Sequence, residues 1–122
     1  MIDHVKLFVR DFERSKTFYE RALQPLGYTI HLAPAPDVAG LGRERPDFWI
    51  QQSDEPTTAH VCFRADDRAT VDAFHAAALA AGGTDNGAPG LRPQYHPTYY
   101  GAFVLDPDGN NVEAVCHGEP GG

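Results

Sequence analysis

His4-Val5-Lys6-Leu7-Phe8-Val9-Arg10-Asp11 near the start of the chain and His60-Val61-Cys62-Phe63-Arg64-Ala65-Asp66-Asp67 in its middle decide the fold. Both open on His-Val, alternate apolar with polar residues, and end on an aspartate. A shift of 56 positions (60 minus 4) lays one on the other, and the same shift lays Phe18 on Phe74, Ala22-Leu23 on Ala78-Leu79 and Gly27 on Gly83. That makes seven identities between residues 4–27 and 60–83, in one register without a gap. The chain reads as two copies of one unit.

Each copy starts as a strand of period two: Val5, Leu7 and Val9 in the first, Val61 and Phe63 in the second. Asp11 and Asp67 follow as N-caps able to accept from the free N–H groups of a first helical turn. Helical spacing then sets Phe12, Ser15, Tyr19, Ala22 and Leu26 on one face, with Phe18 beside them, and Val71, Phe74, His75 and Ala78 on another. Stops are expected at 25–27 and at Gly82-Gly83. Three short strands should follow each helix: 28–32, 38–42 and 47–52, then 83–88, 99–105 and 111–117. The turn Asp106-Pro107-Asp108-Gly109 joins the last two, because proline presets one dihedral and glycine accepts the next. Each copy is therefore βαβββ. Residues 87–97 hold three prolines and two glycines without periodicity, which suits a mobile connection or a substrate lid.

Size and charge narrow the function. A chain of 122 residues and 13.3 kDa fits one domain, with modules at 1–55 and 56–118 and a fraying tail at 119–122. At 42% hydrophobic and 22% charged residues it can build an ordinary core. Ten Lys and Arg against 17 Asp and Glu give a net charge of −7, which argues against a nucleic-acid partner. With no long apolar run, neither a membrane span nor a signal peptide is expected. Two cysteines, Cys62 and Cys116, make no disulfide framework, and a reducing, cytoplasmic setting is expected.

A four-stranded sheet with one helix covers one of its faces. Two such sheets are expected to curl their open faces into a cup. Strand parity puts Val5, Leu7, Val9, Val61, Phe63, Phe103, Leu105, Val112 and Ala114 under the helices. His4, Lys6, Trp49, His60, Cys62, Tyr100 and Glu113 then fall on the open side. Two imidazoles and a carboxylate from three strands could form a facial metal set with open coordination positions. They could equally be two satisfied strand-start histidines and a surface glutamate.

The opening His4-Val5-x-Leu7-x-Val9-x-Asp11-Phe12-x-x-Ser15-x-x-Phe18-Tyr19, the Leu26-Gly27-Tyr28 after it, and Asp106-Pro107-Asp108-Gly109-Asn110 ahead of Glu113 resemble the vicinal oxygen chelate superfamily. That superfamily includes glyoxalase I, extradiol dioxygenases, fosfomycin-resistance thiol transferases and bleomycin-resistance binders, and the resemblance spans about residues 2–117. It implies an α+β fold: two βαβββ modules forming a cupped, barrel-like eight-stranded mixed sheet with the helices outside. It also implies a divalent metal (Fe, Mn, Ni or Zn) held by His4, His60 and Glu113. Where glyoxalase I has a fourth ligand, a glutamate, this chain has Trp49, whose indole N–H cannot ligate. The resemblance is therefore closer to the three-ligand branches.

Around that set, Tyr100 and His96 are candidate proton donors, with Tyr95 and Tyr99 beside them. His96 is also a candidate fourth ligand. Trp49, Lys6, Cys62 and Arg64 are candidate substrate contacts. The expected function is a metal-dependent enzyme (a lyase, dioxygenase or transferase) acting on a small oxygenated substrate. The alternative is a metal-free binder of the bleomycin-resistance kind, holding a cationic aromatic ligand. A homodimer is expected, with modules pairing within a chain or across chains.

Overall fold

A computed structural model describes residues 1–119. The first module runs β1 (Val5–Val9), α1 (Phe12–Ala22), β2 (Thr29–Ala35), β3 (Val38–Gly42) and β4 (Phe48–Gln52). The second runs β5 (His60–Arg64), α2 (Arg68–Ala80), β6 (Thr84–Leu91), β7 (Tyr100–Leu105) and β8 (Asn111–Cys116). They form two separate four-stranded mixed sheets with the same order, β1-β4-β3-β2 and β5-β8-β7-β6. In each, the first strand pairs in parallel with the last, and the other pairs are antiparallel. The class is α+β. The sheets are not closed on each other, and each keeps one open face, consistent with a cupped, barrel-like arrangement.

Both helices begin where their caps require. Asp11 accepts from the Arg14 N–H at 3.2 Å and Asp67 from the Thr70 N–H at 2.7 Å. Helix α1 ends at Ala22, short of Leu26, because Pro25 has no N–H to continue the ladder; Gln24–Leu26 tightens into a 3-10 turn instead. Strand β6 is longer than expected. It pairs with β7 through two register shifts as far as Leu91, so nearly half of the segment read as a connection is an edge strand. Pro89 is tolerated there because an edge strand can leave one N–H position unpaired. Of the tail expected at 119–122, residues 120–122 lie outside the described residues.

One apolar core joins the modules. Leu7, Val9 and Ile50 from the first sheet, Val104, Val112 and Ala114 from the second, and Phe18 and Phe74 from the helices belong to a single buried cluster. Each of the larger of these side chains, Ala114 excepted, stabilises the fold by roughly 1.5–3 kcal/mol. The Phe48 and Phe63 rings meet across the modules, edge to face, at 5.3 Å. A buried polar strut crosses there too. Asp106 accepts from the Tyr19 hydroxyl of α1 at 2.5 Å, from Asn110 Nδ2, and from the backbone N–H groups of Asp108 and Asn110. Because the core lies on the helix-covered sides, both open faces turn away from it. No helix among the described residues is long and apolar enough to cross a membrane.

Candidate functional site

The first open face is built on Trp49. Its register partners are Lys6 on β1 and Gly40 on β3. The indole lies directly over Gly40, where a Cβ would sit 2.8 Å from the ring, so this flat placement requires glycine. Around the indole, Asp3, His4, Lys6, Pro34, Val38 and Pro46 line an open pocket of about 370 Å³. Lys6 donates to the Gln51 side-chain oxygen at 3.0 Å. The imidazole of His4, about half exposed, pairs with Asp3 at 2.8 Å.

The second open face is built on Glu113. Its register partners are Cys62 on β5 and Phe103 on β7. The carboxylate is almost fully buried at 2% exposed, yet both of its oxygens are satisfied: His60 Nε2 donates to Oε1 at 2.8 Å, and the Tyr99 hydroxyl donates to Oε2. Tyr99 folds its ring back over Gly101 and is braced by the rings of Tyr95, His96 and His117. His96 and His117 stack and share a 2.7 Å nitrogen–nitrogen contact. Burial, and then the hydrogen bond to Glu113, raise the Tyr99 phenol well above its ordinary value, so it stays a proton donor. Cys62 is an exposed residue whose thiol is nonetheless partly desolvated; that desolvation, followed by the Glu113 charge, pushes it up to about 12. With Nε2 turned to the carboxylate, His60 leaves Nδ1 to face the open side of the sheet. This is the imidazole–carboxylate arrangement of a general base.

The expected site residues therefore divide. His60, Glu113 and Cys62 come together on one face, while His4, Lys6 and Trp49 come together on the other. Arg64 joins neither; it lines a cavity with Pro25, Arg43, Asp66 and Thr70. The inner-face placement of Tyr100 is corrected: its hydroxyl donates to Asp72 on α2 at 2.6 Å, and its ring lies against Arg68. Strand β7 thus presents Tyr100, Ala102 and Val104 to the helix, and Phe103 to Glu113. His96 reaches the second face only through Tyr99. The register pair Phe103 with Glu113, invisible to single-strand parity, is the signal that would have placed Phe103 and Tyr99.

The donor set tests the implied metal. His60 and Glu113 are adjacent, but their donor atoms are aimed at each other, and His4 stands on the other sheet. Among the described residues, no three His, Cys, Asp or Glu groups converge to hold an ion. Within one chain the set does not fit a divalent metal.

The profile of the Glyoxalase/Bleomycin resistance protein/Dioxygenase superfamily matches residues 1–114. The chain belongs to that superfamily. A glyoxalase/bleomycin resistance protein from Albidiferax ferrireducens T118 is 33% identical, with a TM-score of 0.82 over 93% of this chain and 97% of that one. TioX from Micromonospora sp. ML1 is 19% identical, with a TM-score of 0.74 over 96% and 98%. A lactoylglutathione lyase from Agrobacterium tumefaciens is 21% identical, with a TM-score of 0.70 over 95% and 92%. The latter two likenesses show the superfamily's fold alone. No curated protein matches the chain.

Proposed function

We propose that the chain binds a small organic molecule in a cup assembled from two copies, the Trp49 face of one meeting the Glu113 face of the other. The observation that carries this reading is the division of the site: an indole floor rimmed by Asp3, His4 and Lys6 on one face, and His60 and Tyr99 held on the buried Glu113 carboxylate on the other, each turned away from the shared core. Trp49 supplies a flat apolar surface, and His4 and Lys6 supply donors at its edge. His60 Nδ1 and the Tyr99–Glu113 pair supply an acceptor and a held proton for an oxygen-bearing ligand. A homodimer in which modules pair across chains follows from this reading, and two free cysteines suit a reducing, cytoplasmic setting.

The experiment is fragment titration of chelator-treated protein, followed by amide NMR. Aromatic oxygenated fragments should shift Trp49, Lys6, His60 and Glu113 together. Shifts confined to one face would overturn the reading.

A second reading, the metal-dependent enzyme (lyase, dioxygenase or transferase), is favoured by the adjacency of His60 and Glu113. The repeat equivalence of His4 and His60 adds to it, since a second copy's Trp49 face would bring His4 with it. Elemental analysis of protein purified without chelator separates the two. Stoichiometric Fe, Mn, Ni or Zn that is lost in His60→Ala selects the enzyme; absence of metal, with no uptake on reconstitution, selects the binder.

A further inference from the structure

The Glu113 face carries one charged group that neither reading uses. Arg92 follows β6 and swings its guanidinium over the Phe103 ring, with Cζ 5.4 Å from the ring centre. Phe103 is the register partner of Glu113, and its ring centre lies 6.3 Å from that of His60. The guanidinium is therefore a member of the same face.

Its placement is built in. Nη1 donates to the Gly90 carbonyl at 2.9 Å and Nη2 to the Ala88 carbonyl at 2.8 Å, so the chain's own backbone holds the group. Gly87, at φ +152°, makes room beneath it. A Cβ at that position would stand 2.9 Å from Phe103 Cδ1 and 3.2 Å from Arg92 Nη2, and the backbone there disfavours other residues. Among the described residues no carboxylate pairs with this guanidinium. Its Nε–H is committed to none of the loop carbonyls. A cation fixed by neutral acceptors, stripped of a counterion and set on an aromatic ring keeps its charge available to a ligand.

We propose that Arg92 determines specificity at this face by binding the carboxylate of a small ligand whose ring or second oxygen reaches toward His60. The ligand class is then anionic, although the net charge of −7 would by itself favour a cation. Overall charge steers from a distance, whereas the fixed guanidinium acts at contact. A planar carboxylate suits its fork geometry. This assignment rests on the cup reading for the location of the ligand, but not for its charge.

The test compares benzoate with benzamide, its neutral analogue of the same shape, by amide and guanidine NMR titration. Benzoate should bind about tenfold more tightly than benzamide and shift the Arg92 Nε–H. In Arg92→Gln that preference should vanish, with benzoate losing far more affinity than benzamide. Arg92→Lys, which keeps the charge but not the fork, should retain part of the preference, and it decides the matter if the glutamine variant disturbs residues 88–92. An unchanged benzoate-to-benzamide ratio in both variants, or no binding of either probe, overturns the assignment. Trp49→Ala separates this from the cup. If it weakens benzamide while Arg92 has no effect, the cup stands and Arg92 falls. If benzoate selectivity depends on Arg92 but nothing depends on Trp49, Arg92 stands and the cup falls.

Discussion

The two modules share a backbone plan and differ where their central strands meet. Lys6 pairs with Trp49 in the first, and at the equivalent place Cys62 pairs with Glu113 in the second. One strand further on, Trp49 faces Gly40, whereas Glu113 faces Phe103. The pairing differs accordingly: an indole over a bare glycine in one module, a carboxylate beside a phenyl ring in the other. The repeat thus preserves what starts strands and caps helices while the open faces diverge, one built on an indole and one on a buried carboxylate. A duplicated scaffold can divide its labour because the covered faces, not the open ones, maintain the fold.

Cutting the strut between modules should have the largest effect. Asp106→Ala leaves the Tyr19 hydroxyl and two backbone N–H groups buried without their acceptor, and we expect a loss of about 3 kcal/mol in denaturant unfolding. One cooperative transition should remain, since the core is shared; two resolved transitions would show the modules to be independent.

The Glu113 face can be probed through its thiol. With Cys62 held near 12, its thiolate is scarce at pH 8, and the greater intrinsic nucleophilicity of a high-pKa thiolate recovers only part of the deficit. Alkylation by iodoacetamide should run roughly 50-fold slower than for an unperturbed thiol. Glu113→Gln should speed it by removing the nearby charge, and a rate equal to that of free cysteine would contradict the desolvated cluster. On the other face, Gly40→Ala drives a methyl into the indole. It should cost about 1–2 kcal/mol and shift the emission of Trp49, the chain's single tryptophan. An unshifted spectrum would mean the indole does not rest on Gly40.

Alkaline pH should distinguish strut from face with the smallest effect. Burial, and then Asp106, hold the Tyr19 phenol well above its ordinary value, and Tyr99 is raised in the same direction. A raised phenol stabilises the fold fully below about pH 10. That contribution is lost as pH climbs beyond 10, because the unfolded chain ionises first. Thermal midpoints should therefore fall above pH 10. Tyr19→Phe should remove most of that fall, and Tyr99→Phe, at a half-buried position, much less.

The repeat, both aspartate caps and the Asp106–Gly109 turn were legible because each is local or is doubled by the repeat; that His60 and Glu113 share a face was legible from strand parity, whereas their direct hydrogen bond was not. Strand β7 was not. Ala102 and Val104 alternate with Phe103 and Leu105, so both of its faces are apolar and the strand's own pattern does not say which is covered. Tyr99 and Tyr100 then exchanged places. Only the pairing with β8 fixes that parity, and pairing is a long-range fact. The equivalence of His4 and His60 was legible as well, but a repeat does not state whether its symmetry axis runs within a chain or between copies.

That last point is the most direct test of the account. A spin label is placed on a His4→Cys, Cys62→Ser chain, which is co-refolded with an unlabelled-at-4, 15N-enriched chain, and amide relaxation is read on the enriched chain alone. Intermolecular broadening is expected at His60, Glu113 and Phe103, since the first open face of one copy should lie against the second open face of another. Sharp signals at those three residues, with the mixture shown to form mixed dimers or to stay monomeric, would contradict it.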